Sequence, residues 1–233
     1  MNIAVLGTGS VGQALAGRLS DLGHTVYMGT RNVEDTKKKT QPDNWGNPAI
    51  GAWINEHPKV QLVPFNEAVQ KGEDLVVFAM NGMAAFECLK QIDTALLDGK
   101  VMLDISNPLD FSKGFPPSLF VSNTESLGEQ IQSTYPQLKV VKSLNTMSNP
   151  VMINPNVIEG DHTVFVSGND ADAKAKVIGV LKSFGWEDRN IIDLGDITTA
   201  RGTEMVLPLW VRLFGKLQTP FFNFHINTAK QQA

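Results

Sequence analysis

Cysteine, positive charge and long apolar runs are all scarce in this chain. Its 233 residues include one cysteine, Cys88, so no internal disulfide can form, which is typical of a reducing cytoplasm. Asp and Glu number 24 against 20 Lys and Arg, and the net charge of -4 disfavours a nucleic-acid or anionic membrane surface. No apolar run reaches the roughly 18 residues of a membrane span, and no secretory signal precedes the first strand. We therefore expect a cytoplasmic protein that binds neither nucleic acid nor membrane.

Metal ligands and activated nucleophiles are also missing as sequence motifs. No spacing of His, Cys and carboxylate residues indicates a metal site, and no Gly-x-Ser-x-Gly motif indicates a hydrolase. The histidines lie far apart and in unrelated contexts, at His24, His57, His162 and His225. The sequence therefore predicts no metal site and no histidine that serves as acid or base.

The most informative feature that is present is a glycine-rich turn close to the N-terminus. A short apolar run, Ile3 to Leu6, predicts a strand buried on both faces, and apolar residues recur at helical spacing from Val11 to Leu22. Between them, Gly7 permits a tight turn, Gly9 lets the backbone approach a pyrophosphate, and Gly12 lets the helix pack on the strand. The amides at the helix start would hold the phosphates of a dinucleotide. The predicted cofactor-binding residues here are Gly7, Thr8, Gly9, Ser10, Val11 and Gly12.

The end of the second predicted strand indicates which dinucleotide binds. NAD-specific proteins usually place an Asp or Glu about 20 residues after the glycines, whereas this chain has Thr30, Arg31 and Asn32. A guanidinium and two neutral polar groups suit a 2'-phosphate, which a carboxylate would repel. We therefore predict NADP(H), the alternative being that Arg31 is a solvated surface charge. The lysines at 37–39 either add positive potential at the same phosphate or form a solvated helix face.

Strands and helices alternate along the first 146 residues. This alternation predicts an α/β protein with a Rossmann-type, doubly wound, mainly parallel sheet in the strand order 3-2-1-4-5-6. Residues 40–58 are expected to form an irregular excursion at the adenosine end of the cofactor. Besides the helix after the glycines, helices are predicted at 34–39, 66–71, 82–97 and 126–135. The six predicted strands are Ile3–Leu6, Thr25–Gly29, Val60–Pro64, Asp74–Met80, Lys100–Ser106 and Lys139–Leu144.

Residues 147–233 are expected to form a small C-terminal α+β extension. It would pack on the NADP-binding domain of residues 1–146 and complete the site of the second substrate. The apolar stretch from 205 to 226 predicts a buried helix or an oligomer contact, and the last six residues are expected to fray. The other predicted elements are strands at 163–167 and 191–194, a helix that Asp170 caps and Gly185 closes, and a long final helix that Thr198 or Thr199 caps and that carries Pro208.

Polar residues that follow strands four, five and six are expected to lie beside the nicotinamide, because the cofactor crosses the sheet at those strand ends. They carry amide, hydroxyl and small apolar groups, none of which is a good general acid or base. Reduction of a carbonyl or imine needs a proton donor, whereas hydride transfer to a flavin-like ring needs mainly stacking and orientation. Each asparagine could equally be a turn residue. The predicted residues are Met80, Asn81, Ser106, Asn107, Pro108 and Asn145.

Motifs spread over nearly the whole chain resemble those of a known family. Besides the glycine turn, they are Gly-Thr-Arg-Asn at 29–32, Asp-Ile-Ser-Asn-Pro at 104–108, Lys-Ser-Leu-Asn at 142–145 and Ala-Arg-x-x-Glu-x-x-x-Pro-Leu at 200–209. They are similar to NADP oxidoreductases that depend on the deazaflavin coenzyme F420, and to the cytosolic reductase domain of six-transmembrane metalloreductases. The resemblance implies a compact α/β protein, often a homodimer, in which NADPH faces a flavin or deazaflavin bound against the C-terminal part. It places Thr30, Arg31 and Asn32 at the 2'-phosphate, and Ser106, Asn107, Pro108 and Asn145 near the nicotinamide.

The sequence therefore predicts an NADPH-dependent oxidoreductase that passes a hydride to a small-molecule redox acceptor. Coenzyme F420, FMN and FAD are the candidate acceptors, and no catalytic acid or base is assigned. Two alternatives stay open. A pyrroline-carboxylate or hydroxyacid type of dehydrogenase has a similar N-terminal motif, although it usually carries a longer, all-helical C-terminal domain. A non-catalytic NADP(H) sensor would equally lack proton-transfer groups.

Overall fold

Eight strands of the described residues form one sheet at the centre of the molecule. The computed structural model describes residues 1–42 and 46–229. Its strands are β1 (Asn2–Leu6), β2 (Thr25–Thr30), β3 (Val60–Pro64), β4 (Leu75–Phe78), β5 (Val101–Asp104), β6 (Leu109–Asp110), β7 (Ser118–Leu119), β8 (Lys139–Ser143), β9 (Val164–Gly168) and β10 (Ile191–Gly195). The sheet order is β3-β2-β1-β4-β5-β8-β9-β10, and β6 and β7 pair separately as a short antiparallel ribbon. The predicted order 3-2-1-4-5-6 is confirmed, with β8 as the sixth strand.

Helices cover both faces of this sheet. They are α1 (Ser10–Asp21), α2 (Val33–Lys37), α3 (Ile50–Glu56), α4 (Phe65–Lys71), α5 (Ala85–Leu89), α6 (Thr94–Leu97), α7 (Leu127–Thr134), α8 (Asn149–Ile153), α9 (Ala171–Phe184), α10 (Ala200–Met205) and α11 (Leu207–Leu217). Buried side chains of α1 and α9 belong to one apolar cluster, and those of α4 and α7 belong to a second cluster. The doubly wound, Rossmann-type α/β fold is therefore confirmed.

The central strands explain why the glycine turn lies at a sheet edge. Val5 is the register partner of both Met28 and Val77, and all three side chains are fully buried, as expected of parallel strands covered on both faces. Leu6 and Phe78 are also register partners. Because β1 and β4 are parallel, the residues that follow them meet at the same edge of the sheet.

The strands predicted at 163–167 and 191–194 are confirmed and lengthen the main sheet. β9 runs antiparallel to β8, and β10 runs parallel to β9. The intervening helix α9 has the predicted ends, because the Asp170 side chain accepts a hydrogen bond from the Ala173 amide and Gly185 has a φ of 109°. The small C-terminal extension thus contributes its two strands to the same sheet. The domain boundary at residue 146 stays a prediction.

Two predicted helices are interrupted. The segment 82–97 forms a 3₁₀ turn followed by α5 and α6, because Asp93 accepts from the Ala95 amide while its own amide donates to Asn66, which together hold a turn there. The long final helix divides at Val206 into α10 and α11. Neither Thr198 nor Thr199 caps it with a side chain; the Asp196 carboxylate instead accepts from the Thr198 amide and caps a preceding 3₁₀ turn.

The excursion at 40–58 is less irregular than the sequence predicts. It contains α3, whose Ile50 and Trp53 are buried against the α1 side of the sheet. A β-carbon on Gly51 would lie 2.2 Å from the Lys37 carbonyl oxygen. The glycine is therefore required by close backbone packing, and the helix forms around it.

The stretch from 205 to 226 is mostly exposed rather than a buried helix. In α11 only Leu207 and Val211 are buried, while Leu209 and Leu217 are each at least half exposed. The alternative prediction for this stretch, an oligomer contact, stays a prediction. The predicted frayed end lies largely outside the described residues. No described helix combines the length and apolar character that crossing a bilayer demands.

Candidate functional site

A groove runs along the carboxyl ends of the central strands. It consists of a cavity of about 530 Å³ at the end of β2 and a cavity of about 380 Å³ at the ends of β5 and β8. We call these the adenosine-end and nicotinamide-end cavities, after the halves of the dinucleotide predicted to occupy them. Both are lined by Gly9 and by the segment 79–81 that follows β4, so the two cavities adjoin each other. This is the edge at which doubly wound folds bind dinucleotides.

The three glycines of the turn are required for different reasons. Gly7 has a φ of 125°, and a β-carbon there would lie 2.4 Å from the Ala79 carbonyl oxygen. A β-carbon on Gly12 would lie 2.0 Å from the Gly7 carbonyl oxygen. A β-carbon on Gly9 would meet nothing within 4 Å, and its backbone is extended, with φ of -78° and ψ of -178°. The protein itself therefore does not require glycine at position 9, whereas a ligand lying against the backbone would.

The start of α1 is suited to bind an anion. The helix is 12 residues long and begins at Ser10, and no side chain caps this end. Its first amides are thus directed to the groove without an internal acceptor, and the helix dipole favours negative charge there. Together with the open space at Gly9, this arrangement fits the diphosphate of a dinucleotide.

The excursion at 40–58 borders the glycine turn as well as the adenosine end. The side-chain Nε2 of Gln13 donates to the backbone carbonyl oxygens of Thr8, at 3.0 Å, and Pro48, at 3.2 Å. These two hydrogen bonds connect the excursion to the turn. Lys39 lines the adenosine-end cavity and also a smaller hollow beside the turn. The excursion therefore forms an outer wall of the proposed phosphate site.

At the adenosine end, Arg31 lines the cavity and is held by an exposed partner. Its Nη2 lies 2.9 Å from Oε1 of Glu87, and the two side chains are 64% and 67% exposed. An exposed ion pair of this kind is weak, because solvent screens it. The guanidinium is therefore free to exchange Glu87 for a phosphate without a large cost.

The neighbours of Arg31 serve the local structure as well as the cavity. Oγ1 of Thr30 hydrogen-bonds Oγ1 of Thr36 at 2.7 Å, and Oδ1 of Asn32 accepts from the Asp35 amide and so caps α2. Both predicted residues line the adenosine-end cavity. The Asn32 amide nitrogen is not used by the cap and could donate to a ligand.

The lysine run divides between the surface and the cavity. Lys37 and Lys38 form exposed pairs with Glu34 and Asp35 one helical turn earlier. Lys39 lines the cavity. Of the two interpretations of this run, the solvated helix face describes Lys37 and Lys38, and added positive potential at the phosphate stays a prediction for Lys39.

At the nicotinamide end, two asparagines join the ends of β5 and β8. The side-chain Nδ2 of Asn107 donates to the backbone carbonyl oxygen of Asn145 at 2.9 Å, and Nδ2 of Asn145 donates to Oδ1 of Asn107 at 3.0 Å. Leu144, just before Asn145, has a φ of 63°, which is unusual for a branched side chain and turns the backbone into this pairing. Both asparagines line the cavity, so they present a fixed polar wall.

The remaining predicted residues are placed as follows. Met80 and Asn81 line both cavities, and Oδ1 of Asn81 accepts from the Met83 amide. Ser106 lines the nicotinamide-end cavity. Pro108 lines neither cavity, and its carbonyl oxygen accepts from the Phe120 amide at the β6–β7 ribbon.

Below the cavity wall lies a buried ionic cluster that sequence reasoning missed. Nζ of Lys142 lies 2.6 Å from Oδ2 of Asp104 and 2.9 Å from Oε1 of Glu204, and these side chains are at most 2% exposed. Burial alone would lower the pKa of Lys142, but the two carboxylates outweigh it and raise the pKa. Glu204 also accepts from the amides of Leu127 and Gly128 at the start of α7. The available sequence signal was a Lys and an Asp that each directly follow apolar strand residues, at 140–141 and 101–103, where a buried charge needs a partner.

The side of the nicotinamide-end cavity formed by Leu207 and Trp210 of α11, which we call its outer half, is apolar. Trp210 stacks on Phe222, with 5.2 Å between ring centroids, and its buried Nε1 has no hydrogen-bond partner within the described part of the chain. None of the residues that line this cavity carries a titratable side chain. The apolar lining comprises Val11, Ala79, Met80, Ile105, Leu109, Phe111, Met147, Met152, Leu207 and Trp210.

Metal and thiol chemistry have no counterpart at this groove. Within residues 1–42 and 46–229, no group of three or more His, Cys, Asp or Glu residues could hold a metal ion. Cys88 is buried, as expected of a core residue, and burial raises the pKa of its thiol to about 12. The thiol is therefore protonated and unreactive at neutral pH.

Comparisons with known proteins support an oxidoreductase site. The chain matches the family described as NADP oxidoreductase, coenzyme F420-dependent, over residues 2–108. It is 52% identical to a candidate F420-dependent NADP reductase from Arthrobacter sp. FB24, whose crystal structure superposes with a TM-score of 0.92 over 98% of this chain and 100% of that chain. The metalloreductase STEAP3 of Rattus norvegicus is 24% identical over 89% of this chain, which spans 37% of the rat protein. A glycerol-3-phosphate dehydrogenase of Staphylococcus epidermidis is 29% identical over 72% of this chain and 47% of that protein.

Proposed function

This chain belongs to the family of coenzyme F420-dependent NADP oxidoreductases, and from that premise we propose that it transfers a hydride between NADP(H) and a deazaflavin bound in the outer half of the nicotinamide-end cavity. The observation that carries the proposal is the character of that cavity. It adjoins the phosphate site, most of its lining side chains are apolar, the others are neutral, and no titratable group faces it. Hydride transfer between two stacked rings needs orientation and exclusion of water more than it needs an acid or base.

The residues of the groove divide the work of binding. The amides at the start of α1 and the open backbone at Gly9 would hold the diphosphate. Arg31 and Lys39 would neutralise the 2'-phosphate, with Asn32 as an additional donor. The joined amides of Asn107 and Asn145 would hold the nicotinamide in one orientation. When bound, NADPH supplies a hydride from its nicotinamide, and the acceptor takes up that hydride together with one solvent proton.

Trp210 is the residue that we assign to the acceptor. Its ring forms part of the apolar wall, and its unpartnered Nε1 would donate a hydrogen bond to a carbonyl oxygen of the acceptor ring. A deazaflavin and a flavin share such carbonyls, so both kinds of ring fit this chemistry. The family membership and the 52% identical relative favour the deazaflavin.

The alternative dehydrogenases need a proton donor beside the hydride acceptor. The Ser106 hydroxyl, which lies at the end of β5 in this cavity, donates instead to Oδ1 of Asp104 at 2.6 Å. The other alternative, a non-catalytic NADP(H) sensor, would be excluded if the protein catalysed NADPH oxidation by any acceptor.

Stopped-flow oxidation of NADPH tests this function, with F420, FMN and FAD each offered as the acceptor. We expect F420 to be reduced in a stoichiometric single turnover and the two flavins to react more slowly. Tight binding of NADPH without reduction of any of the three would contradict the proposal.

A Trp210→Phe variant tests the assignment of the acceptor wall. It keeps the ring and removes the donor, so the KM for F420 should rise about tenfold, the equivalent of one hydrogen bond, while the Kd for NADPH stays unchanged. Lys216→Ala is the matched control, because Lys216 lies on the same helix, is exposed, is not apolar and does not line the cavity. An equal effect of both variants would show that α11 matters only as a whole.

We also propose that the chain forms a homodimer through the exposed apolar side chains of α11 and the segment that follows it. Leu209, Phe221 and Ile226 are each 46% to 54% exposed. Light scattering should give twice the chain mass, and Leu209→Glu should shift the protein towards the monomer. A monomeric mass for the wild type would rule this out.

A further inference from the structure

Every polar group of Ser106 is bound by the buried ionic cluster. Its amide and its hydroxyl both donate to Oδ1 of Asp104, at 2.9 and 2.6 Å, and its carbonyl oxygen accepts from Nζ of Lys142 at 2.8 Å. Lys142 also forms ion pairs with Asp104 and Glu204, at 2.6 and 2.9 Å, so three oxygens surround its ammonium group. The position of Ser106, and with it that of Asn107, is therefore set by Lys142 and Asp104.

The same ammonium group connects the two walls of the nicotinamide-end cavity. One wall is the segment 106–107, where the nicotinamide is expected. The other wall includes Leu207 and Trp210 of α11. Glu204 lies on α10, three residues before α11 begins, and its carboxylate is held by Lys142 and by the first amides of α7. Lys142 therefore links the two walls through non-covalent contacts: it binds Ser106 on one side and, on the other, Glu204 close to the start of α11.

We propose that Asp104, Lys142 and Glu204 form a positioning network that sets the spacing between the nicotinamide and the hydride acceptor. This inference rests on the proposed function, because it takes the two cavity walls to be the donor and acceptor walls. None of the three residues lines the cavity, so each acts through Ser106, Asn107 or α11.

Stability alone does not explain why this cluster is ionic. Three charges buried to 2% exposure or less lose their hydration, and well-packed apolar side chains of similar volume are often at least as stabilising. Apolar side chains, however, cannot hold a carbonyl oxygen, a hydroxyl and two helix amides at defined distances. What the charges supply is a fixed geometry, and the rate of a reaction between positioned groups is sensitive to displacements of about 1 Å.

The test compares two substitutions on α10. Glu204→Gln keeps the side-chain size and removes the ionic link to Lys142. Arg201→Gln is the matched control, because Nε and Nη2 of Arg201 donate to the carboxylate of Glu129 at 2.8 and 2.6 Å, which anchors the same helix to α7 without contact to Lys142 or Ser106. Each variant is assayed for its melting temperature, its Kd for NADPH, the fluorescence lifetime of bound NADPH, and the single-turnover rate of F420 reduction with NADPH deuterated at C4.

For Glu204→Gln we expect an NADPH Kd within about threefold of the wild type, a shorter lifetime of bound NADPH, a transfer rate lower by about 10- to 100-fold, and a more temperature-dependent isotope effect. Arg201→Gln should lower the melting temperature without changing the rate, the lifetime or the isotope effect. Equal losses of rate in both variants, or an unchanged rate in Glu204→Gln, would overturn the proposal.

Two provisions keep the outcome decisive. Should Glu204→Gln fail to fold, Glu204→Asp keeps the charge and shortens the side chain by one methylene, and the same measurements apply to it with an intermediate effect expected. Should the wild type fail to reduce F420, the proposed function fails, but the lifetime of bound NADPH still reports whether the network holds the nicotinamide. An unchanged fluorescence lifetime of NADPH bound to the Glu204 variant would then show that the network does not position the nicotinamide.

Discussion

The two ends of the groove hold their polar residues in opposite ways. At the adenosine end, Arg31 is 64% exposed and pairs with an equally exposed Glu87. At the nicotinamide end, Ser106 is 2% exposed, and Lys142 below it is 1% exposed and forms ion pairs with Asp104 and Glu204. At the adenosine end, the exposed Arg31 can exchange Glu87 for a ligand. At the nicotinamide end, the buried Ser106 keeps its hydrogen-bond partners Asp104 and Lys142.

This difference matches what each half of a dinucleotide demands. Selection of a 2'-phosphate needs charge, and a mobile exposed cation provides it because a phosphate accepts hydrogen bonds from many directions. Hydride transfer needs one orientation of the nicotinamide, which only side chains locked by their own partners can impose. Affinity and geometry are thus supplied by separate parts of the same groove.

The largest expected effect is on stability at the nicotinamide end. Lys142→Met would leave the carboxylates of Asp104 and Glu204 buried without their counter-ion, which costs about 3–5 kcal/mol of unfolding free energy. Urea denaturation followed by circular dichroism measures this loss. Arg31→Met is the corresponding change at the adenosine end and should leave the urea midpoint unchanged. Similar midpoints for both variants would remove the contrast between the two ends.

The next effect separates folding from binding at the glycine turn between the two ends. Gly9→Ala should keep the wild-type melting temperature and raise the Kd for NADPH at least about 30-fold, the equivalent of one lost hydrogen bond to a charged group. Gly12→Ala should instead destabilise the fold, because its β-carbon would overlap the Gly7 carbonyl oxygen. Calorimetry provides both quantities. A destabilised Gly9→Ala would mean that the open space at Gly9 is needed by the protein rather than by a ligand.

A smaller effect concerns cofactor choice at the adenosine end. Arg31→Ala should raise the Kd for NADPH about tenfold and leave that for NADH unchanged, because only NADPH carries the 2'-phosphate. Fluorescence titration with both nucleotides measures the ratio. Lys38→Ala is the control, since Lys38 pairs with Asp35 on the surface and does not line the cavity. Equal losses for the two nucleotides would show that Arg31 does not bind the phosphate.

The smallest effect is a pH dependence at the junction of α7 and α10. Hydrogen bonds from Arg201, and further ones from Ser126, hold the pKa of Glu129 below its usual range. A lowered pKa stabilises the folded state above the unfolded-state pKa of about 4.3, and this contribution is lost as the pH falls through the folded-state pKa. Glu129→Gln should therefore melt a few degrees below the wild type at pH 7, with the difference closing in acid.

The comparison for this last prediction is Glu87→Gln at the adenosine end. Its carboxylate is 67% exposed, so its removal should leave the melting temperature at pH 7 unchanged. Thermal melts from pH 7 down to pH 3 would show both behaviours. A difference for Glu129→Gln that persists at pH 3 would point to packing rather than charge.

Features that depend on local pattern could be predicted from the sequence. The glycine turn, the buried run of β1 and the caps of α9 each depend on residues within a few positions of one another, so spacing alone identifies them. The strand order followed because right-handed crossovers leave few arrangements. The Rossmann-type fold and the NADP-dependent oxidoreductase family were accordingly both predicted correctly.

Features that depend on distant partners could not be predicted. A Lys that directly follows the apolar pair Val140 and Val141 of β8 signals a buried charge, but nothing in the sequence pairs Lys142 with Glu204, which lies 62 positions further on. In the same way, α3 was missed because Gly51 is explained only by the backbone of residues 37–39 packed against it. Secondary-structure propensity depends on the residues within one segment, whereas these contacts form between segments that only the folded chain brings together.

The antiparallel step between β8 and β9 has a consequence for anyone who wishes to produce the nucleotide-binding half alone. A fragment that stops at residue 146 would expose the hydrogen-bonding edge of β8, which β9 covers from Val141 to Ser143. Uncovered apolar edges invite sheet-to-sheet association. Truncation there should yield insoluble material, whereas a fragment that extends through β10 carries its own edge protection.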